Sequence, residues 1–176
     1  MAHYAVIAIG ADRPGIVAAL TGALYQQGAN LEDVSSSILR GHFAIMLVVD
    51  VQTAPGAEAL QTSLTGAMAG LGVQVHVRDV EGGEQRRAQA THALVAYGAD
   101  RPGIVAGLAS LLAERQVNVT DLSCRLTAED PQVYVLVAEV TIPSEQDPDA
   151  LREAIEARAG ELGVDATFRP IEADTL

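Results

Sequence analysis

The sequence predicts an α+β fold made of two ferredoxin-like β-α-β-β-α-β units, each an antiparallel four-stranded sheet with two helices on one face. Three observations carry this. The segment GADRPGIVAAL at residues 10–20 returns as GADRPGIVAGL at 98–108, identical at ten of eleven positions at an offset of 88. Hydrophobic periodicity alternates between strand-like and helix-like spacing in the same order in both halves. The breakers Gly, Pro and Asp fall between those segments. The register continues with Asn30 on Asn118, Asp33 on Asp121 and Ser35 on Ser123; AIMLVVDV then aligns with VYVLVAEV at an offset of 89, and LGVQVHVRDV with LGVDATFRPI at 91. The expected division is a first unit at 1–81, a Gly-containing polar linker at 82–91, a second unit at 92–172 and a tail at 173–176.

Each element follows from its pattern. His3 to Ile9 is nearly continuously apolar, as a central strand should be. Asp12 offers a helix N-cap, with Pro14 in the first turn. Ile16, Val17, Leu20 and Leu24 then recur at helical spacing, matched by Ile104, Val105, Leu108 and Leu112. Gly28 ends the first helix, with Val117 at that place in the second copy. The next strand alternates Val34, Ser36 and Ile38 against Asp33, Ser35 and Ser37; in the second copy Leu122, Cys124 and Leu126 are expected in the core, with Asp121, Ser123 and Arg125 outside. Turns at Arg40-Gly41 and Glu129-Asp130-Pro131 lead to apolar strands Phe43–Val51 and Val133–Ile142. The second helices carry Leu60, Leu64, Met68 and Leu71, or Leu151, Ile155, Ala159 and Leu162, each closed by Leu-Gly. The acidic run SEQDPD at 144–149 reads as a charged cap favourable to the helix dipole. Final strands turn Val73, Val75 and Val77, or Val164, Ala166 and Phe168, inward. The opposite sheet face is also apolar in its centre, so a second unit is expected to cover it.

Composition narrows the function. The 176 residues carry 23 acids against 11 bases, a net charge of −12, and every base is Arg. The first 88 residues (8 acids, 5 Arg) carry −3 and the last 88 (15 acids, 6 Arg) carry −9. Without lysine there is no Schiff-base chemistry and no P-loop. Such acidity repels phosphate backbones, which argues against direct nucleic-acid binding. The opening MAHYAVIAIGADRPG has no basic n-region, and there is no long uncharged apolar stretch, so neither a signal peptide nor a membrane span is expected. The single cysteine, Cys124, excludes an internal disulfide and fits a reducing, cytoplasmic setting; its strand position predicts an inert buried thiol.

The repeated strand-to-helix corner is the most informative segment. Free N–H groups at a helix start attract a carboxylate, Gly15 and Gly103 let a small ligand approach the backbone, and Asp12 and Asp100 offer charge to an ammonium. Together such groups hold both ends of an α-amino acid. A few contacts of this kind sum to roughly −4 to −6 kcal/mol, a millimolar to high-micromolar affinity. The same residues also make a plain helix start, with Asp12 as a cap and nothing more.

A β-α-β-β-α-β unit with D-R-P-G-I-V after its first strand, followed by Asn and an Asp-Ser strand, resembles an ACT domain, and D-R-P-G-I resembles the subgroup with the regulatory domain of formyltetrahydrofolate deformylase. Two such units filling the chain are similar to the glycine-cleavage-system transcriptional repressor family. That resemblance implies a non-enzymatic regulator that binds glycine or a similar small amino acid and acts through a DNA-binding transcriptional regulator, without reading DNA itself. It places ligand contacts at Asp12, Arg13, Pro14, Gly15, Ile16 and Asn30, and at Asp100, Arg101, Pro102, Gly103, Ile104 and Asn118. The amides of Gly15 and Ile16 would take the carboxylate, and an Asn from a facing unit the amino or carboxylate group. A homodimer is expected, because one chain has only two units with which to cover its apolar faces. The alternative is a ligand-free protein–protein interaction module.

Nothing else rises to a site. His3, His42, His76 and His92 have no metal-ligand spacing, and no Ser/His/Asp or paired-carboxylate arrangement stands out; no catalytic residue, metal or cofactor is expected.

Overall fold

A computed structural model describes residues 2–80, 89–128 and 131–171. The chain divides into two compact units, Met1–Glu84 and Gln85–Leu176. The first runs β1 (Ala2–Ala11), α1 (Ile16–Gln26), β2 (Ala29–Leu39), β3 (His42–Val51), α2 (Ala57–Met68) and β4 (Gln74–Val80); a 3-10 turn, Ala69–Leu71, follows α2. The second runs β5 (His92–Gly98), α3 (Ile104–Glu114), β6 (Asn118–Leu126), β7 (Tyr134–Thr141), α4 (Pro148–Leu162) and β8 (Val164–Pro170). Each sheet is antiparallel, in the order β2-β3-β1-β4 and β6-β7-β5-β8. This is the α+β ferredoxin-like arrangement that the periodicity predicts.

Both cores are aliphatic, as scarce aromatics require. Val6, Ala8, Leu20, Leu24, Leu47, Leu60, Leu64 and Met68 are buried in the first; Leu94, Ala96, Leu108, Leu136, Leu151 and Ile155 take their places in the second. The helix-facing side of each central strand is thus fully covered. The opposite side stays half open, with Ile7, Ile9 and Met46 exposed in one unit and Tyr97 and Val137 in the other.

Two details explain residues common to both copies. A Cβ on Gly10 would lie 3.0 Å from Val73 Cγ2 and 3.1 Å from the Gly72 carbonyl; one on Gly98 would lie 2.9 Å from Val164 Cγ1. The glycine that opens each corner is there because the neighbouring strand passes too close for a side chain. The Arg40-Gly41 turn has φ of 49° and 80° between the paired residues Leu39 and His42. That is a two-residue hairpin of the I′ kind, whose twist matches the flanking strands.

The helix starts differ between copies. At α4, Asp147 accepts a hydrogen bond from the Asp149 amide at 3.0 Å, with Pro148 and Asp149 in the first turn, so the acidic run is a charged cap. At α2 the matching position is Gly56, whose N–H donates to the phenol oxygen of buried Tyr4 at 3.1 Å.

The structure corrects four sequence expectations. Gly10 pairs with Phe43 and Gly98 with Tyr134, so β3 and β7 are related by 91 residues, not 89. The whole drift of three residues lies in the hairpin before them. Of the longer turn, Glu129 and Asp130 lie outside the described residues. The residue matching Gly28 (φ 72°) is Gln116 (φ 56°), not Val117, which is buried. The helix-side residues of β2 and β6 are not core: Leu122 is 47% exposed and Leu126 41%. Cys124 is exposed, not buried. Leu122 and Cys124 do lie on the helix side, opposite buried Ala138 and Leu136. The helices cover the inner strands and leave this edge strand overhanging, so its alternation reports orientation without burial.

No helix among the described residues is long and apolar enough to cross a membrane.

Candidate functional site

The repeated corners have one geometry. β1 ends at Ala11, and the Asp12 N–H donates to the Gly41 carbonyl at 2.8 Å, tying the corner to the β2–β3 hairpin. Gly15 and Gly103 are the helix N-caps, both left-handed, at φ 97° and 98°. No side chain caps either helix. Asp12 therefore does not cap α1, and Pro14 precedes the helix; Gly15 takes the capping position because only glycine enters that φ without strain. The first helical bonds run from Ala19 N–H to the Gly15 carbonyl (2.9 Å) and from Gly107 N–H to the Gly103 carbonyl (2.8 Å). The amides of Ile16, Val17 and Ala18, and of Ile104, Val105 and Ala106, precede that ladder and have no protein acceptor among the described residues. Ile16 and Ile104 anchor the helices by full burial, while Asp12, Arg13, Pro14 and Gly15, and Asp100, Arg101, Pro102 and Gly103, are exposed.

The corners differ in their neighbours. In the second unit, the Arg101 guanidinium lies where a Cβ on Gly163 would be, with Nη1 at 2.6 Å, so it rests on the C-terminal end of α4. At Gly72, the matching position in the first unit, that space is open. Tyr134 stands beside Cys124 and Asp100; burial first, then these two groups, push its phenol up to about 12. Buried Phe43 takes its place in the first unit. Tyr134 against Phe43 lies outside the shared eleven residues, whereas Arg101 and Gly163 match Arg13 and Gly72, so that difference is one of side-chain placement.

Asn30 and Asn118 are elsewhere. Asn30 pairs with Asp50, which also pairs with His3, at the start of β1, whereas the corner follows Ala11. Eight residues of strand separate them, about 26 Å. Asn118 pairs with Thr141 at the same end of its sheet. Each Asn thus lies at the opposite end of the sheet from its own unit's corner.

An ACT domain profile matches residues 3–78 and 93–169. The chain belongs to the ACT domain family. Single ACT units resemble curated relatives: a UPF0237 protein of Methanopyrus kandleri is 42% identical over 79 residues, covering 44% of this chain and 88% of that protein. The UPF0237 protein YjhC of Lactococcus lactis is 36% identical over 74 residues, covering 42% and 84%. The tandem arrangement resembles solved structures: a protein of unknown role from Galdieria sulphuraria (24% identity, 97% of this chain and 98% of that one, TM-score 0.80). Another, named "putative glycine cleavage system transcriptional repressor", has 17% identity, 97% coverage of both chains and a TM-score of 0.70. At these identities the shared property is the tandem ACT fold.

Proposed function

We propose that this tandem ACT protein is a non-enzymatic cytoplasmic regulator that binds glycine or a similarly small amino acid and, as a homodimer, transmits its presence to a DNA-binding transcriptional regulator. The observation that carries this reading is the pair of uncapped helix starts, each behind a left-handed glycine. Three amides per corner that the fold leaves unbonded suit a carboxylate. Asp12 or Asp100 supplies charge toward the ammonium. Asn30 or Asn118 joins the ligand as the contribution of a further unit, since each stands far from its own corner. The −12 charge favours action through another protein over contact with DNA. The name of the glycine-cleavage-type structural relative supports the same choice.

Calorimetry and thermal shift with each common amino acid at millimolar concentration test the reading. Saturable binding of a small amino acid is the expected result; the absence of any heat or shift across the set refutes it. The exposed outer strands β2 and β6 favour the second reading, a ligand-free pairing module. Capture of a transcription factor that is indifferent to amino acids would select it.

A further inference from the structure

The two Asn ends of the sheets have diverged in charge. In the second unit three threonines occupy the matching places, one just before β5 and the others on β6 and β7, and each is satisfied internally. Thr91 donates to the Val140 carbonyl (3.3 Å) and accepts from the Ile142 amide (3.1 Å). Thr120 donates to the Glu139 carbonyl (3.1 Å), and Thr141 to the Gln89 carbonyl (2.8 Å). In the first unit those places hold His3, Glu32 and Asp50. His3 Nδ1 lies 3.1 Å from Glu32 Oε2. Asp50 is 8% exposed, and its Oδ1 is enclosed with no hydrogen-bond partner among the described residues. An enclosed carboxylate oxygen with no donor costs stability that the threonines show this fold need not spend.

We infer that Asp50, beside its cross-strand neighbour Asn30, holds the ammonium group of the amino-acid ligand, and that the Asn118 end does not. This rests on the amino-acid reading above and says which end completes the site. Asp50 supplies a charged acceptor, Glu32 keeps one oxygen clear of His3, and Asn30 adds an amide oxygen, a set that matches the three N–H donors of a primary ammonium. Rotation about the broad aspartate χ2 torsion exchanges the two carboxylate oxygens, so either can serve as the acceptor without backbone movement. At the other end Thr141 is neutral and its proton is already committed. Among the described residues no three His, Cys, Asp or Glu stand together as metal ligands.

Glycine titrated calorimetrically into wild type, Asp50→Asn and Thr141→Val tests this. Asp50→Asn should weaken glycine binding at least about tenfold. Its unliganded unfolding midpoint should equal or exceed that of wild type, because an unpaired buried carboxylate has gone. Thr141→Val should bind as wild type does. Acetate, which lacks the ammonium, should bind wild type and Asp50→Asn alike. Equal glycine affinity in wild type and Asp50→Asn overturns this assignment while amino-acid binding stands. A wild type that binds no amino acid overturns both. A midpoint rise with zinc or calcium chloride that Asp50→Asn abolishes would make this a metal site and overturn the ammonium assignment.

Discussion

The Leu162 side chain fills the space that a Cβ on Gly107 would need: its Cδ1 and Cδ2 lie 2.9 and 3.0 Å from that position. Gly107 is the one difference in the eleven-residue repeat, matching Ala19. In the first unit Ala19 and Leu71 are both half-buried and coexist. The single divergence in the repeat is therefore a packing adjustment between α3 and the end of α4.

This relationship predicts non-additivity. In a Leu162→Ala background, Gly107→Ala should stabilise the protein by about 1 kcal/mol, the helix-propensity difference. With Leu162 present, the gain should shrink or reverse as the leucine is displaced. Denaturant melts of the four proteins in the cycle measure the coupling; equal effects in both backgrounds would show that the contact is not felt.

Gln116→Gly should stabilise the second unit by about 0.5–1 kcal/mol, since Gln116 occupies the left-handed position that Gly28 fills without strain. A rise in the urea midpoint at unchanged slope checks it.

Gly10→Ala and Gly15→Ala should both destabilise, for different reasons. At Gly10 the new methyl meets the Gly72 carbonyl and the Val73 backbone, costing about 1–3 kcal/mol. At Gly15 the space is open, but φ of 97° strains any L-residue, by about 1–2 kcal/mol. D-alanine introduced at residue 15 by semisynthesis should restore stability there; at residue 10 it should not.

His92 stacks on Phe168 with ring centroids 5.0 Å apart and an angle of 10°. Burial lowers its pKa from the ordinary value of 6.5. The unfolded chain then takes up its proton first as pH falls, so His92 costs nothing above 6.5 and destabilises the second unit progressively below it, levelling off under its folded pKa. His92→Phe keeps the stack and should flatten this part of the pH–stability curve; an unchanged curve would place the titration elsewhere.

Most of the fold is legible in the residues. The repeat supplies the unit, continuous apolar runs mark β1 and β3, and alternation along β4 supplies its faces. What fails does so for identifiable reasons. Alternation predicts Cys124, Leu122 and Leu126 in the core, yet a period of two reports which way a side chain points, not whether a helix reaches over it. Asp-x-Pro suits a cap at Asp12, yet Gly15 holds that position. The corner itself was legible as a helix start with accessible backbone. Asp50 and Thr141 were not, because their divergence appears only once strand register places them beside Asn30 and Asn118.

Both outer ribbons carry an irregularity near the start, between Leu31 and Asp33 in β2 and between Val119 and Asp121 in β6. An extra residue there bends the ribbon and interrupts the evenly spaced row of donors and acceptors along its free side. That shortens the uninterrupted edge on which another strand could template, one of the ways in which sheets blunt open-ended edge pairing.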